Sequence, residues 1–175
     1  MAGIVITKDF AAPVFVTLAL SLQYFIITIV VPMRARAKNF PYHWLKANFG
    51  EEHQEAFGTK IPDMGYPDTG DGRYAKKLPY KQWHEVMVAQ RTALNYLEHL
   101  PVILFATIVS GFEYPVVAAC LGGSYFLGRV IYTIGFTSTR GISARFPGFA
   151  ILMLSLVAQL ILGIVSCLKI TGSIH

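Results

Sequence analysis

The stretch from Phe10 to Met33 runs for 24 residues without one charged side chain, and this limits the fold more than any other feature. About 20 apolar residues in an α-helix cross the ~30 Å hydrocarbon core of a bilayer. A helix that is apolar all round has no polar face to offer water, so this segment is expected to cross a membrane. Phe146 to Leu168 is a second uncharged run, of 23 residues, and Tyr114 to Thr139 reads the same way with one internal charge, Arg129. Pro13 sits near the start of the first run, where its missing N–H is harmless.

The fourth segment is less simple. Leu100 to Gly111 is apolar but only 12 residues long, too short to span. Extended back to Trp83, it becomes a helix of about 30 residues, roughly 43 Å long. Its first half carries His84, Glu85, Arg91, Asn95, Glu98 and His99. One long helix is therefore expected, its polar half facing a protected pocket. Pro101 is expected to bend it by removing the hydrogen bond to the Leu97 carbonyl. The fold class is all-α: a single domain over residues 1–175, built as a four-helix transmembrane bundle. The spans fall at about 10–33, 83–110, 114–138 and 146–168.

Composition agrees, with 54% hydrophobic and 14% charged residues. A soluble domain carries about 25% charged residues. The net charge of +5 is unevenly placed, most of the Lys and Arg lying between residues 34 and 81 among Asp and Glu. That pattern reads as a solvated, membrane-flanking segment and argues against nucleic acid. Arg34, Arg36, Lys38, Lys76, Lys77 and Lys81 follow the first span, and Arg140 and Arg145 follow the third. The positive-inside rule then puts both large loops in the cytosol and both termini outside it. The first run is too long for a signal-peptide h-region and its basic residues follow it, so no cleavable leader is expected.

Residues 39–81 read as an extended polar cytosolic loop broken by Pro41, Pro62, Pro67, Pro79 and several glycines, with one brief helix at 45–57. Tyr42, Trp44 and Phe49 suit the headgroup zone. His43 and His53 lack a paired metal-ligand spacing, and Cys120 and Cys167 lie apart in apolar segments, so neither a metal site nor a disulfide framework is expected.

Charges deep in a membrane helix cost about 2.5–3.5 kcal/mol each, so Arg91, Glu98 and Arg129 demand a reason. Arg91, Asn95 and Glu98 recur at i, i+4 and i+7, which puts them on one helix face; Arg129, Tyr132 and Phe136 share a face of the next helix. One reading is an internal network in which Glu98 pairs with Arg129 or Arg91 and glues helices together. The other is a ligand site. Two guanidinium groups and one carboxylate leave a net positive pocket, suited to an anionic ligand that also carries one amine.

The stretch Arg91-Thr-Ala-Leu-Asn95-Tyr-Leu-Glu98-His99-Leu-Pro101 resembles the R-x-x-x-N-x-x-E-x-x-P signature of the MAPEG family, the membrane-associated proteins of eicosanoid and glutathione metabolism. Gly128-Arg129-Val-Ile-Tyr132-Thr-Ile-Gly135 is similar to that family's third-helix motif, and Met33-Arg34-Ala35-Arg36-Ala37-Lys38 to the basic end of its first helix. The resemblance implies a homotrimer with glutathione as co-substrate, bound between neighbouring subunits near the cytosolic face. Carried across, Arg91, Asn95, Glu98, Arg129 and Tyr132 bind glutathione, Arg36 is a further carboxylate partner, and Arg145 activates the thiol, with Arg140 as second choice. The implied partners are the lipid bilayer and a lipophilic small-molecule substrate. The implied location is the endoplasmic reticulum membrane, with a mitochondrial membrane as the alternative.

Two departures bear on catalysis. His99 stands where many members have a tyrosine, and Phe136 stands where many have a second tyrosine one turn after Tyr132. The first loop is also longer than expected for the family's glutathione transferases. Two readings follow: a glutathione transferase or peroxidase acting on lipid-borne electrophiles, or a non-catalytic subunit of a larger membrane assembly on the same scaffold. A transporter or channel is disfavoured, since the fourth span carries no charge and no span is visibly broken.

Overall fold

A computed structural model describes residues 8–138 and 142–174. Its helices are α1 (Ala11–Asn39), α2 (Tyr42–Phe57), the single turn α3 (Arg73–Lys76), α4 (Tyr80–Gly111), α5 (Pro115–Thr137) and α6 (Phe146–Ile170). Short 3-10 turns at Lys8–Phe10 and Ile142–Arg145 lead into α1 and α6. No strand occurs among the described residues.

Four helices are long and apolar enough to cross a bilayer, over Lys8–Asn39, Tyr80–Gly111, Pro115–Thr137 and Ser143–Ile170. Four is the number of spans expected. Proline opens two of them: Pro115 at the start of α5 and Pro147 in the first turn of α6 occupy positions where no N–H is required. The second span starts three residues before Trp83, since α4 runs for 32 residues from Tyr80, and it stays helical through Pro101. At ~1.5 Å per residue it measures about 48 Å.

The chain folds as two compact units, residues 27–94 and the remainder. In the larger unit, α5 and α6 cross closely. A Cβ on Gly128 would lie 2.8 Å from the Leu152 amide nitrogen, and one on Gly148 would overlap the Tyr132 backbone. Small residues at such crossings let backbones approach where lipid offers no hydrophobic drive to association. The outward faces are apolar: Phe15, Phe105 and Leu154 are each 72% exposed. Faces of that kind are stable against acyl chains or other subunits, and this chain is an integral membrane protein.

The smaller unit holds the brief helix expected at 45–57, three residues longer at its start, and a buried core that an extended polar loop would lack. Residues 42–57 form a 16-residue helix, α2, which ends where the Gly58 N–H bonds the Gln54 carbonyl. Phe40, Leu45, Phe49, Ile61, Ala75, Leu78 and Val86 form a buried cluster, flanked by Trp44, Tyr74 and Trp83. The prolines and glycines do break the segment into turns, but those turns fold back over apolar side chains too widely spaced to register as a periodic run.

Asp68 holds this arrangement together. Its carboxylate is buried and accepts backbone N–H bonds from Gly70 (2.8 Å), Gly72 (3.1 Å) and Ala75 (2.9 Å). The Trp83 indole donates to the Gly70 carbonyl at 2.8 Å, fastening the same turn to α4. At the end of α1, Lys38 pairs with Glu85 at 2.7 Å.

Candidate functional site

Arg129 occupies the middle of the larger unit and is 1% exposed. Three tyrosine rings surround its guanidinium carbon: Tyr96 at 4.4 Å, Tyr132 at 5.3 Å and Tyr125 at 5.5 Å. Its Nη2 lies 2.8 Å from the Tyr125 hydroxyl, and 3.3 Å from both the Asn95 carbonyl and His99 Nδ1. An imidazole nitrogen facing a guanidinium N–H must present its lone pair, which puts the His99 proton on Nε2. Nε of Arg129 is buried without a hydrogen-bond partner. The charge is thus met by ring faces and neutral acceptors rather than by a carboxylate. In a region from which water is excluded, cation–π contact is worth about 2 kcal/mol or more.

The cage is anchored in turn. The Tyr96 hydroxyl donates to Gln23 Oε1 at 2.6 Å, and the Gln23 amide donates to the Phe126 carbonyl at 3.0 Å. The Asn95 side-chain amide donates to the Tyr132 hydroxyl at 2.8 Å, joining a residue of the α4 signature to one of the α5 motif. Tyr132 also packs on Phe136, with ring centroids 5.5 Å apart.

The remaining expected site residues take other positions. Glu98 is exposed on α4 and forms no ion pair with Arg129 among the described residues. Arg91 is exposed and belongs to the smaller unit. Arg145 closes the turn before α6, half-buried, with its guanidinium 4.7 Å above the Phe136 ring. Arg140 lies outside the described residues. Arg36, expected as a carboxylate partner, donates instead to backbone. Its Nε (3.1 Å) and Nη2 (2.6 Å) reach the Met64 carbonyl, and Nη2 also reaches the Tyr66 carbonyl.

Tyr96, Tyr125 and His99 were not expected as partners of Arg129. Tyr125 and Tyr132 stand at i−4 and i+3 from it, and that spacing alone puts both rings on the guanidinium's own face of α5. The contribution of α4 was less visible, because Tyr96 reads as an ordinary apolar position. No group of three or more potential metal ligands occurs among the described residues.

Four apolar spans, tight glycine-mediated packing and a polar cluster inside the helices define a polytopic α-helical membrane protein. The sequence model of the MAPEG family matches residues 13–165, and the chain belongs to that family. Among curated proteins no match is found.

Proposed function

We propose that this protein is a membrane-bound glutathione transferase or peroxidase that activates the glutathione thiol for attack on lipophilic electrophiles or lipid hydroperoxides. Membership of the MAPEG family supports glutathione use at the level of the family. The observation that carries the reading is the 2.8 Å hydrogen bond from Asn95 to Tyr132, which brings the α4 and α5 motifs together. The motif details point further, to likeness with the type-three microsomal glutathione transferases.

Glutathione carries two carboxylates and one ammonium. In this proposal Arg91 takes a carboxylate and Glu98 the ammonium. Asn95 and Tyr132 supply neutral polar contacts, and Arg129 holds Tyr132 and Asn95 in place from behind. Arg91 and Glu98 face outward from the single chain. That exposure suits a site completed by a neighbouring copy in a homotrimer. A free thiol titrates near pH 8.5, and a guanidinium beside it favours the thiolate. Arg145 fills that role, leaving its perch on Phe136 to reach the sulfur. The S–H proton passes to water, and the thiolate forms a bond to the electrophilic carbon as a leaving group departs or a π bond opens. With a hydroperoxide it bonds the distal oxygen as the O–O bond breaks, and the alkoxide leaves and takes up a proton. A second glutathione then converts the sulfenic acid to disulfide and water. The proposed location is the endoplasmic reticulum membrane.

A second reading is a non-catalytic subunit of a larger membrane assembly, in a mitochondrial membrane for example. It is favoured by the sealing of Arg129 and by the engagement of Arg36 with backbone carbonyls. Calorimetry with glutathione separates the two readings. On the enzyme reading the wild type binds saturably, Arg91→Ala loses binding, and Arg145→Ala binds but loses the thiolate absorbance near neutral pH. Absence of binding at millimolar glutathione removes the enzyme reading.

A further inference from the structure

The smaller unit contains a cavity of about 550 Å³ that the glutathione reading leaves unused. Pockets for small organic ligands range over about 300–1,000 Å³. The walls carry the rings of Phe49, His53, Phe57, Tyr66 and Tyr74, with Ile61 between them. Phe57 and Tyr66 stay 68% and 51% exposed at the opening. Large rings left facing an open hollow gain when an apolar body covers them.

The lining carries two carboxylates, Glu52 and Asp68, and one guanidinium, Arg73, and each of the three is already engaged. Glu52 and Arg73 pair with each other at 2.6 Å. Asp68 already accepts three backbone N–H bonds through its two oxygens. An anion drawn to Arg73 competes with Glu52 for it, and a cation drawn to Glu52 competes with Arg73. A neutral molecule meets neither penalty. We infer that this cavity is a binding site for an uncharged, ring-bearing lipophile that stacks on the aromatic walls.

The walls are fixed in advance of any ligand. Asp68 fixes the turn leading to Tyr74, and the Tyr66 N–H reaches the Tyr74 hydroxyl at 3.3 Å. Arg36 fixes the strip from Met64 to Tyr66 through its carbonyls. Arg36 is thus a positioning residue for the cavity. A preformed pocket spares the ligand the entropy of ordering its walls.

The test uses the full chain in lipid nanodiscs and the neutral photoprobe 3-trifluoromethyl-3-phenyldiazirine, with labelled peptides mapped by mass spectrometry. Labelling within residues 49–74 is expected to saturate, whereas labelling of lipid-facing span residues rises linearly with probe. Naphthalene is expected to compete a few-fold better than naphthoate or naphthylmethylammonium. Ala56→Trp, which places an indole in the hollow, is expected to abolish the saturable component and to leave glutathione calorimetry as in the wild type. Arg36→Gln, at unchanged helicity by circular dichroism, is expected to weaken saturation several-fold. Linear labelling of 49–74 in the wild type overturns the site, and equal competition by the charged naphthalenes overturns the ligand class. If Ala56→Trp does not fold, saturation in the wild type, the competition series and Arg36→Gln still decide between a site and none.

Discussion

Aromatic rings do opposite work in the two units. Around Arg129 they surround a cation: Tyr96, Tyr125 and Tyr132 turn their faces to the guanidinium and leave it no carboxylate. In the smaller unit, Phe40, Phe49, Tyr74, Trp44 and Trp83 gather around aliphatic side chains, and the Glu52–Arg73 pair stays at the rim while Asp68 is buried. The polar glue differs accordingly. In the larger unit it is a run of side chains from Gln23 through Tyr96 toward Arg129, whereas in the smaller one it is a carboxylate bound to backbone amides. The difference teaches why a buried arginine is not by itself a ligand residue. Where rings and neutral acceptors satisfy it, it stiffens the scaffold and lends position to its neighbours.

The contrast can be broken most directly at its centre. Arg129→Ala is expected to lower stability by about 3–5 kcal/mol, the range for truncating a large buried side chain, because it opens a void and strips the Tyr125 hydroxyl and His99 of their partner. Unfolding in mixed micelles measures it. A change under about 0.5 kcal/mol means the cage carries nothing. In the other unit, Asp68→Ala is expected to cost about 1–3 kcal/mol, the penalty for leaving buried backbone donors unsatisfied. Hydrogen exchange at Gly70, Gly72 and Ala75 should speed up while that of α5 stays unchanged; global acceleration would erase the distinction between the units. The smallest effect is expected at the Lys38–Glu85 pair, whose side chains are 67% and 31% exposed. Glu85→Gln should change stability by about 0.2–1 kcal/mol, and less at high salt.

Much of this architecture was legible from runs of uncharged residues. The four spans follow from length and apolar composition alone, since the bilayer sets both requirements. The family followed from Arg91, Asn95, Glu98, Arg129 and Tyr132, polar residues at fixed spacing where polar residues are costly. What stayed hidden rests on contacts between distant parts of the chain. Arg36 carries a charge at a helix end, and nothing in its neighbourhood says that Met64 and Tyr66 will offer it their carbonyls. Phe40, Ile61 and Leu78 lie too far apart to show a period, so residues 39–81 read as polar although they close on a core. Asp68 did announce itself faintly, because Asp-x-Gly-x-Gly is turn chemistry, but its third bond, to Ala75, depends on where α3 begins.

The tyrosine cage also has a bearing on how the chain enters its membrane during synthesis. A guanidinium arriving alone in lipid meets an insertion penalty of about 2.5–3.5 kcal/mol. Three of the five residues that relieve it, Tyr96, His99 and Asn95 through its carbonyl, belong to α4, which leaves the ribosome before α5. The third span is therefore delivered to a receptor that its predecessor has already installed. Separating the two segments, or making the third on its own, should leave it stranded at the translocon until α4 arrives beside it.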